Sequence, residues 1–413
     1  MSRPHVAVLD EELPFPLTSG KRIRTYNLLS RLAARVRITY LCHRNPDPQE
    51  AAQAEKAFDD LGIKSVVVDR RVPSKSGLGF YARLGGNLFS SLPYSVATHR
   101  SDELRAAALR LYESDPPALW HCEWSPYAET LRRPIGSAPR VVVAHNVESL
   151  IWQRYMETET HPLKRWYIRR QFRKFERFER WAYSTFDGTI AVSEEDARLI
   201  RERFGGRRVE VVDNGVDTAF FKPNAQIARD PYQILFLGSL DWRPNLDGVK
   251  LLLDDIFPRV RKQQPKATLT IVGRKPVDWL RQQVVGMTGV ELHADVADVR
   301  PFLAKAGMLA VPLRIGGGSR LKILEALAAG LPVVTSRVGV EGLHLEPSQH
   351  VTLADGPEEF STAIVQTIND PESARHQADR GRQRVLDRYD WSGLADRLEA
   401  IWREVAGRAE PKI

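Results

Sequence analysis

An α/β architecture of two Rossmann-like, doubly wound parallel-sheet domains is what this 413-residue chain predicts. Three observations carry that expectation. Short apolar runs alternate with helical patterns along almost the whole chain, as βαβ units require. The alternation comes in two series, with a proline-containing stretch between them. The length suffices for two cores, and 43% hydrophobic with 27% charged residues is an ordinary globular balance.

The first series opens with a strand at His5–Leu9, then a Pro/Gly loop to Gly20 and a helix from Arg22 to about Arg35. Arg37–Cys42 and Lys64–Asp69 are rich in β-favouring residues and read as strands, with a polar helix over Asp47–Leu61 between them. A more helical region leads to strands at Leu119–Cys122 and Arg140–His145, and Gly188–Val192 and Val209–Val212 close the series. Thr218–Tyr232, with Pro223, Asn224 and Pro231, is linker-like. The second series runs Gln233–Gly238, Ala267–Gly273, Val290–His293, Met308–Leu313, Pro332–Thr335 and Val351–Leu353, each followed by a helical stretch. Domains are therefore expected over residues 1–222 and 228–385. Residues 386–413 then form a terminal helix, Trp391 to Ala406, whose Leu394, Leu398, Ile401 and Val405 recur at helical spacing and pack back on the domains. Two such domains facing each other would make a cleft at the carboxyl ends of their strands, where ligands bind.

Charge is unevenly placed. Residues 1–225 hold 35 Lys and Arg against 28 Asp and Glu, whereas the remainder is nearly balanced at 25 against 24. The first half is the one expected to meet an anionic membrane surface, a lipid carrier or an acidic glycan. Nucleic acid is not expected, because no helix-turn-helix, zinc-finger or RNP-like pattern appears. The stretch His161–Trp181 carries eight basic and two acidic side chains, with Ile168, Phe172, Phe175 and Phe178 at helical spacing. It reads as an amphipathic helix whose basic face is either simply solvated or rests on anionic lipid. Met1–His5 carries no apolar leader core, and no run approaches a membrane span, so a cytoplasmic protein is expected, peripheral at most on the inner face of the membrane. Cys42 and Cys122 have no metal-like spacing and read as buried free thiols. The paired acids Asp59-Asp60 and Asp254-Asp255 fall inside helical patterns, so no metal site is expected.

The stretch Val311–Val334 is the most telling. It reads as a strand, a turn with Gly316, Gly317, Gly318 and Ser319, a helix from about Arg320 to Ala329, and a second strand from Pro332. Glycines ahead of a helix leave backbone N–H groups bare, an arrangement that holds phosphate. A helix N-terminus favours Asp or Glu, yet this one opens with Arg320 and Lys322. Alone, the two would pass for solvated charges. After three glycines and at a helix start, they point to a bound phosphate or diphosphate.

Phe236-Leu237-Gly238-Ser239-Leu240, Leu269-Thr270-Ile271-Val272-Gly273 and the Gly316–Val334 segment occur in an order that resembles glycosyltransferase family 4, retaining nucleotide-sugar glycosyltransferases with the GT-B fold. The resemblance covers nearly the whole chain and is closest to bacterial surface-polysaccharide and exopolysaccharide sugar transferases. It implies a second domain that binds the nucleotide sugar, with Gly238 and Ser239 at the donor and Glu325 on the donor ribose. Glu325 matches the second of the family's two hallmark glutamates; Gly317 stands at the first. Ser239 stands where the family often has Arg, and no Lys lies within Leu240–Gly248, so Arg320 and Lys322 are expected to take over the diphosphate. In the first domain, Pro16–Arg24 with Gly20 resembles the family's flexible loop facing donor phosphate and acceptor. His145, followed by Asn146, resembles the family's cleft histidine. His121 and Glu123 also end a strand and could line the cleft, although an ordinary strand-end role is the favoured reading for them.

The expected activity is transfer of a sugar from a nucleotide-diphosphate donor to a glycan or lipid-linked acceptor, with retention and without a metal or other cofactor. Arg320 and Lys322 would stabilise the departing diphosphate, and His145 would orient the donor sugar or the acceptor hydroxyl. Two alternatives stay open at this point: a sugar-nucleotide epimerase of similar architecture, and a non-catalytic nucleotide-sugar-binding subunit.

Overall fold

Strands buried on both faces need continuous apolar runs, and these runs pair as two separate parallel sheets in the computed structural model, which describes residues 3–70, 76–315 and 320–407. The first sheet has seven strands: β1 (His5–Leu9), β2 (Arg37–His43), β3 (Lys64–Val68), β4 (Leu119–Cys122), β5 (Arg140–Ala144), β6 (Gly188–Ala191) and β7 (Val209–Val211). Their order is β3-β2-β1-β4-β5-β6-β7, every pair parallel. The second sheet has six: β8 (Asp230–Leu237), β9 (Thr268–Gly273), β10 (Val290–Ala294), β11 (Ala306–Val311), β12 (Val333–Thr335) and β13 (Thr352–Leu353), ordered β10-β9-β8-β11-β12-β13 and again all parallel.

Each sheet reverses its strand order once, between β1 and β4 in the first and between β8 and β11 in the second. Ligands of open α/β sheets sit beyond the carboxyl ends at that reversal. The residues just past β1 and β4 are Asp10 and Glu123, and those just past β8 and β11 are Gly238 and Pro312.

Element ends differ from the sequence reading where a local bond decides them. The first helix begins at Gly20 rather than Arg22, because the Ser19 hydroxyl accepts the Arg22 N–H at 3.3 Å and caps it. The stretch read as linker to Tyr232 already enters the sheet at Asp230. Pro231 is tolerated there because the pairing of β8 with β11 shifts register between Ala306 and Met308. β11 itself lies two residues earlier than expected, so Pro312 and Leu313 belong to the loop above the sheet.

By contact, the chain divides into one unit of Met1–Asp213 with Leu394–Ile413 and another of Asn214–Gly393. The helix Trp391–Gly407 thus returns to the first unit, where Leu394, Leu398, Ile401, Trp402 and Val405 are buried. The first core gathers around Trp120, Tyr127, Phe175 and Phe204, the second around Phe236, Ile256, Ile271 and Phe360. Cys42 and Cys122 are free and buried, and burial pushes both thiols up, so neither is poised as a nucleophile.

Candidate functional site

In the second unit the site is built where β8 ends. Gly238 has no side chain, and a Cβ there would lie 2.7 Å from Asn245 Nδ2 and 2.8 Å from Lys322 Nζ. The missing atom is what admits the ammonium to the strand end. Gly273, at the end of β9, is needed for a similar reason, since a Cβ on it would sit 1.9 Å from the Gly238 carbonyl oxygen. Lys322 lies on the helix Leu321–Ala328, which follows the loop after β11. Its ammonium donates to Asn245 Oδ1 at 2.8 Å and stands 4.7 Å from the centre of the Phe236 ring. Asn245 in turn donates to the Ser239 carbonyl at 2.9 Å, so Ser239, Asn245 and Lys322 form one chain of bonds.

Burial lowers Lys322 to about 7, with Glu325 opposing the shift and Arg320 adding to it. Burial likewise raises Glu325 to about 7 against the pull of Lys322. A lysine held this near neutrality beside an open strand end is a group whose charge an incoming anion would restore. Arg320 caps the helix start and turns inward: its guanidinium donates to the Val338 carbonyl at 2.9 Å and lies 3.5 Å from Glu341. Of the two expected cations, Lys322 is therefore the one placed at the strand end. Gly316, Gly317, Gly318 and Ser319, expected to offer backbone N–H groups, lie outside the described residues.

In the first unit, His145 directly follows β5, with Glu123 directly after the neighbouring β4. His145 Nε2 stands 3.1 Å from Glu123 Oε1. The buried Glu123 carboxylate also accepts from Thr25 Oγ1 and from His121 Nε2, both at 2.7 Å. Burial alone would raise this carboxyl, yet hydrogen bonds from His121 and His145 hold it well below the usual range. Gly20 is the first residue of the helix Gly20–Leu32, whose Lys21 reaches back to Asp10, just past β1. The Tyr40 hydroxyl also donates to Asp10, at 2.7 Å.

Sequence reasoning named Gly238, Ser239, Lys322 and Glu325 separately, and the structure brings the first three together with Asn245, which it missed. His121 and Glu123 were read as strand-end residues that could line the cleft; the structure sets Glu123 directly against His145, with His121 bonded to Glu123. Thr25 and Trp402 carried no signal beyond helical periodicity. Among the described residues, no group of three or more His, Cys, Asp or Glu side chains is placed to hold a metal ion.

Residues 18–220 match the family model described as Glycosyltransferase Family 4, and residues 231–370 match that described as Glycosyl transferases group 1. A glycogen synthase of Mycobacterium tuberculosis is 29% identical over 237 residues, covering 54% of this chain and 56% of that protein. A phosphatidyl-myo-inositol mannosyltransferase of the same organism is 31% identical over 234 residues, covering 53% of this chain and 60% of that protein. The chain thus spans a little over half the length of these curated relatives. Among solved structures, Anabaena HepE in complex with UDP superposes with a TM-score of 0.68 at 15% identity, covering 97% of this chain and 100% of that one. Sucrose-phosphate synthase from Thermosynechococcus elongatus superposes with a TM-score of 0.69 at 18% identity, covering 98% and 100%. These superpositions place the fold as GT-B.

Proposed function

Because the chain belongs to glycosyltransferase family 4, we propose that it transfers a sugar, with retention, from a nucleoside diphosphate to a hydroxyl of a glycan or lipid-linked acceptor in surface or exopolysaccharide synthesis. The observation that carries this reading is the Lys322 ammonium, admitted to the end of β8 by Gly238 and tied to Ser239 through Asn245. It supplies positive charge at the start of a helix that follows a glycine-rich stretch of sequence, as a diphosphate requires. The relatives favour the same chemistry, since one solved neighbour holds UDP and the curated ones are named for glycogen and for a phosphatidylinositol lipid.

In the reaction, the bond from the anomeric carbon to the phosphate oxygen breaks as the acceptor oxygen bonds that carbon on the same face. The acceptor proton passes to the departing phosphate oxygen, so no protein nucleophile is required. Lys322 offsets the charge growing on the diphosphate, Glu325 takes the ribose hydroxyls, and His145 orients the sugar or the acceptor hydroxyl. No step calls for a metal or other cofactor. A thermal-shift series with UDP, GDP, dTDP and ADP tests the donor side. At 100 times its dissociation constant the correct diphosphate adds about 2.7 kcal/mol of stability. No shift with any of the four would overturn the reading.

The acceptor side extends to a peripheral contact with anionic membrane on the cytoplasmic face. No described helix is long and apolar enough to cross a bilayer. On the helix Pro162–Thr185, seven Lys and Arg side chains between Lys164 and Arg180 are exposed, whereas Glu176 is half-buried and Glu179 buried. The helix Leu78–Asn87 lies against it, with Gln171 donating to Asn87 at 2.9 Å and Arg170 to the Leu88 carbonyl at 3.3 Å. Around that junction Leu78 and Phe89 are 90% and 94% exposed, and Tyr81, Leu163 and Trp166 are exposed as well. Between Arg70 and Ser101 the sequence has no Asp or Glu. Exposed rings set among arginines suit the headgroup layer of an anionic bilayer. Vesicles containing phosphatidylglycerol should sediment the protein, vesicles of phosphatidylcholine alone should not, and F89S with W166S should abolish the difference. Equal recovery with both vesicle types would remove the membrane from this reading.

A further inference from the structure

His121 and Glu123 are two residues apart along β4 and its extension, so they lie on the same side of the sheet. Their pairing is only part of a longer chain of bonds. The indole Nε1 of Trp402, on the returning C-terminal helix, donates to His121 Nδ1 at 3.0 Å, and His121 Nε2 meets Glu123 Oε2 at 2.7 Å. Trp402, His121 and Glu123 are all buried. An indole N–H can only donate. His121 Nδ1 must therefore present its lone pair, and the single ring proton sits on Nε2, where it donates to Glu123. The indole thus selects one tautomer of the His121 ring.

The consequence falls on His145. With His121 donating to Oε2, the other oxygen of Glu123, Oε1, faces His145 Nε2 at 3.1 Å while Thr25 fixes the same atom. Lys21 and Arg24 add positive charge around this carboxylate, and Asp10 adds negative charge. We propose that Trp402 is a positioning residue for His145. It fixes the tautomer of His121, so that Glu123 is turned to keep the His145 ring with Nε2 toward the carboxylate. Without the indole N–H, His121 can flip its proton to Nδ1. Glu123 then faces a lone pair, and its hold on His145 loosens. The inference rests on the glycosyltransferase reading for its consequence on turnover, but not for its first link.

The test uses the full chain and the variant Trp402→Phe, which keeps an aromatic ring and removes the N–H. ¹⁵N-histidine NMR reads the first link directly. The parent should show His121 as a single tautomer protonated on Nε2, and the variant should show a mixture. In a transfer assay kcat should fall about 10- to 100-fold, the scale on which outer hydrogen-bond partners of functional histidines act, with the donor KM within about twofold. In a His121→Gln background, whose side-chain amide donates to Glu123 with no ring tautomer to choose, the same Trp402→Phe change should have no further effect on kcat. An unchanged tautomer in Trp402→Phe, an unchanged kcat, or equal losses in both backgrounds would each overturn the proposal. Should Trp402→Phe fail to fold, the ¹⁵N-histidine NMR of the parent carries the test alone: His121 as a single tautomer protonated on Nε2 supports the relay, and a ring protonated on Nδ1 overturns it. If no donor supports transfer by the parent, the glycosyltransferase reading fails, while the NMR comparison still decides the link from Trp402 to His121.

Discussion

Lys322→Ala is expected to lower turnover by about 10²–10³-fold, the loss that follows removal of one preorganised donor to developing negative charge, with the fold intact by circular dichroism and thermal unfolding. Among the described residues the side chain's one hydrogen bond is to Asn245, and alanine leaves the helix Leu321–Ala328 with a good helix former in its place. Structure is thus little disturbed while the charge disappears. The perturbed titration of Lys322 gives this prediction a second, independent readout. Held at about 7 in the free protein, the amine is mostly neutral at pH 8. A bound diphosphate favours the ammonium, so binding at pH 8 should take up a proton, and less should be taken up as the pH falls below 7. Calorimetry in buffers of different ionisation enthalpy measures the uptake. Its absence, or its persistence in Lys322→Ala, would remove Lys322 from the phosphate site.

The second large effect is expected at His145. His145→Ala should reduce kcat by about 10²-fold or more, as loss of a positioned proton-handling group does, while UDP or GDP binding, judged by thermal shift, stays within about twofold. Diphosphate binding is assigned to the second unit, and His145 lies in the first, at the end of β5. A parallel loss of nucleotide affinity would mean that the two functions have been divided wrongly. The variant also leaves Glu123 with Thr25 and His121 as donors, so the buried carboxylate is not stranded and stability should hold.

How much of this was legible beforehand follows from where each signal resides. The inner strands of both sheets are covered on both faces, so they had to be written as nearly unbroken apolar runs such as Val141-Val142-Val143 or Leu269-Thr270-Ile271-Val272, and these are hard to mistake. Their ends were less exact. The last ladder bond of β11 falls at Val311, while apolar Leu313 continues the pattern into the loop. Lys322 was legible because a cation at a helix start contradicts the helix dipole, and Gly238 because it ends a strand. Asn245 was not, since a lone Asn after a proline at a helix start carries no more information than a polar cap. The link from Trp402 to His121 joins positions 281 residues apart, through a tryptophan that reads only as one more apolar residue on an amphipathic helix. Periodicity tells which face is covered, not which atom of that face carries a hydrogen-bond donor.

The return of Trp391–Gly407 to the first unit bears on how the polypeptide is made. During synthesis, the amino-terminal sheet emerges from the ribosome first, yet it must wait with an uncovered apolar flank through some 180 residues of the intervening unit, Asn214–Gly393. Only when the tail bearing Leu398 and Trp402 leaves the exit tunnel can that flank close and His121 receive its indole partner. Completion of the first sheet therefore follows synthesis of the second, and a nascent chain stopped short of the tail would display a nearly finished sheet whose histidine pair is not yet set.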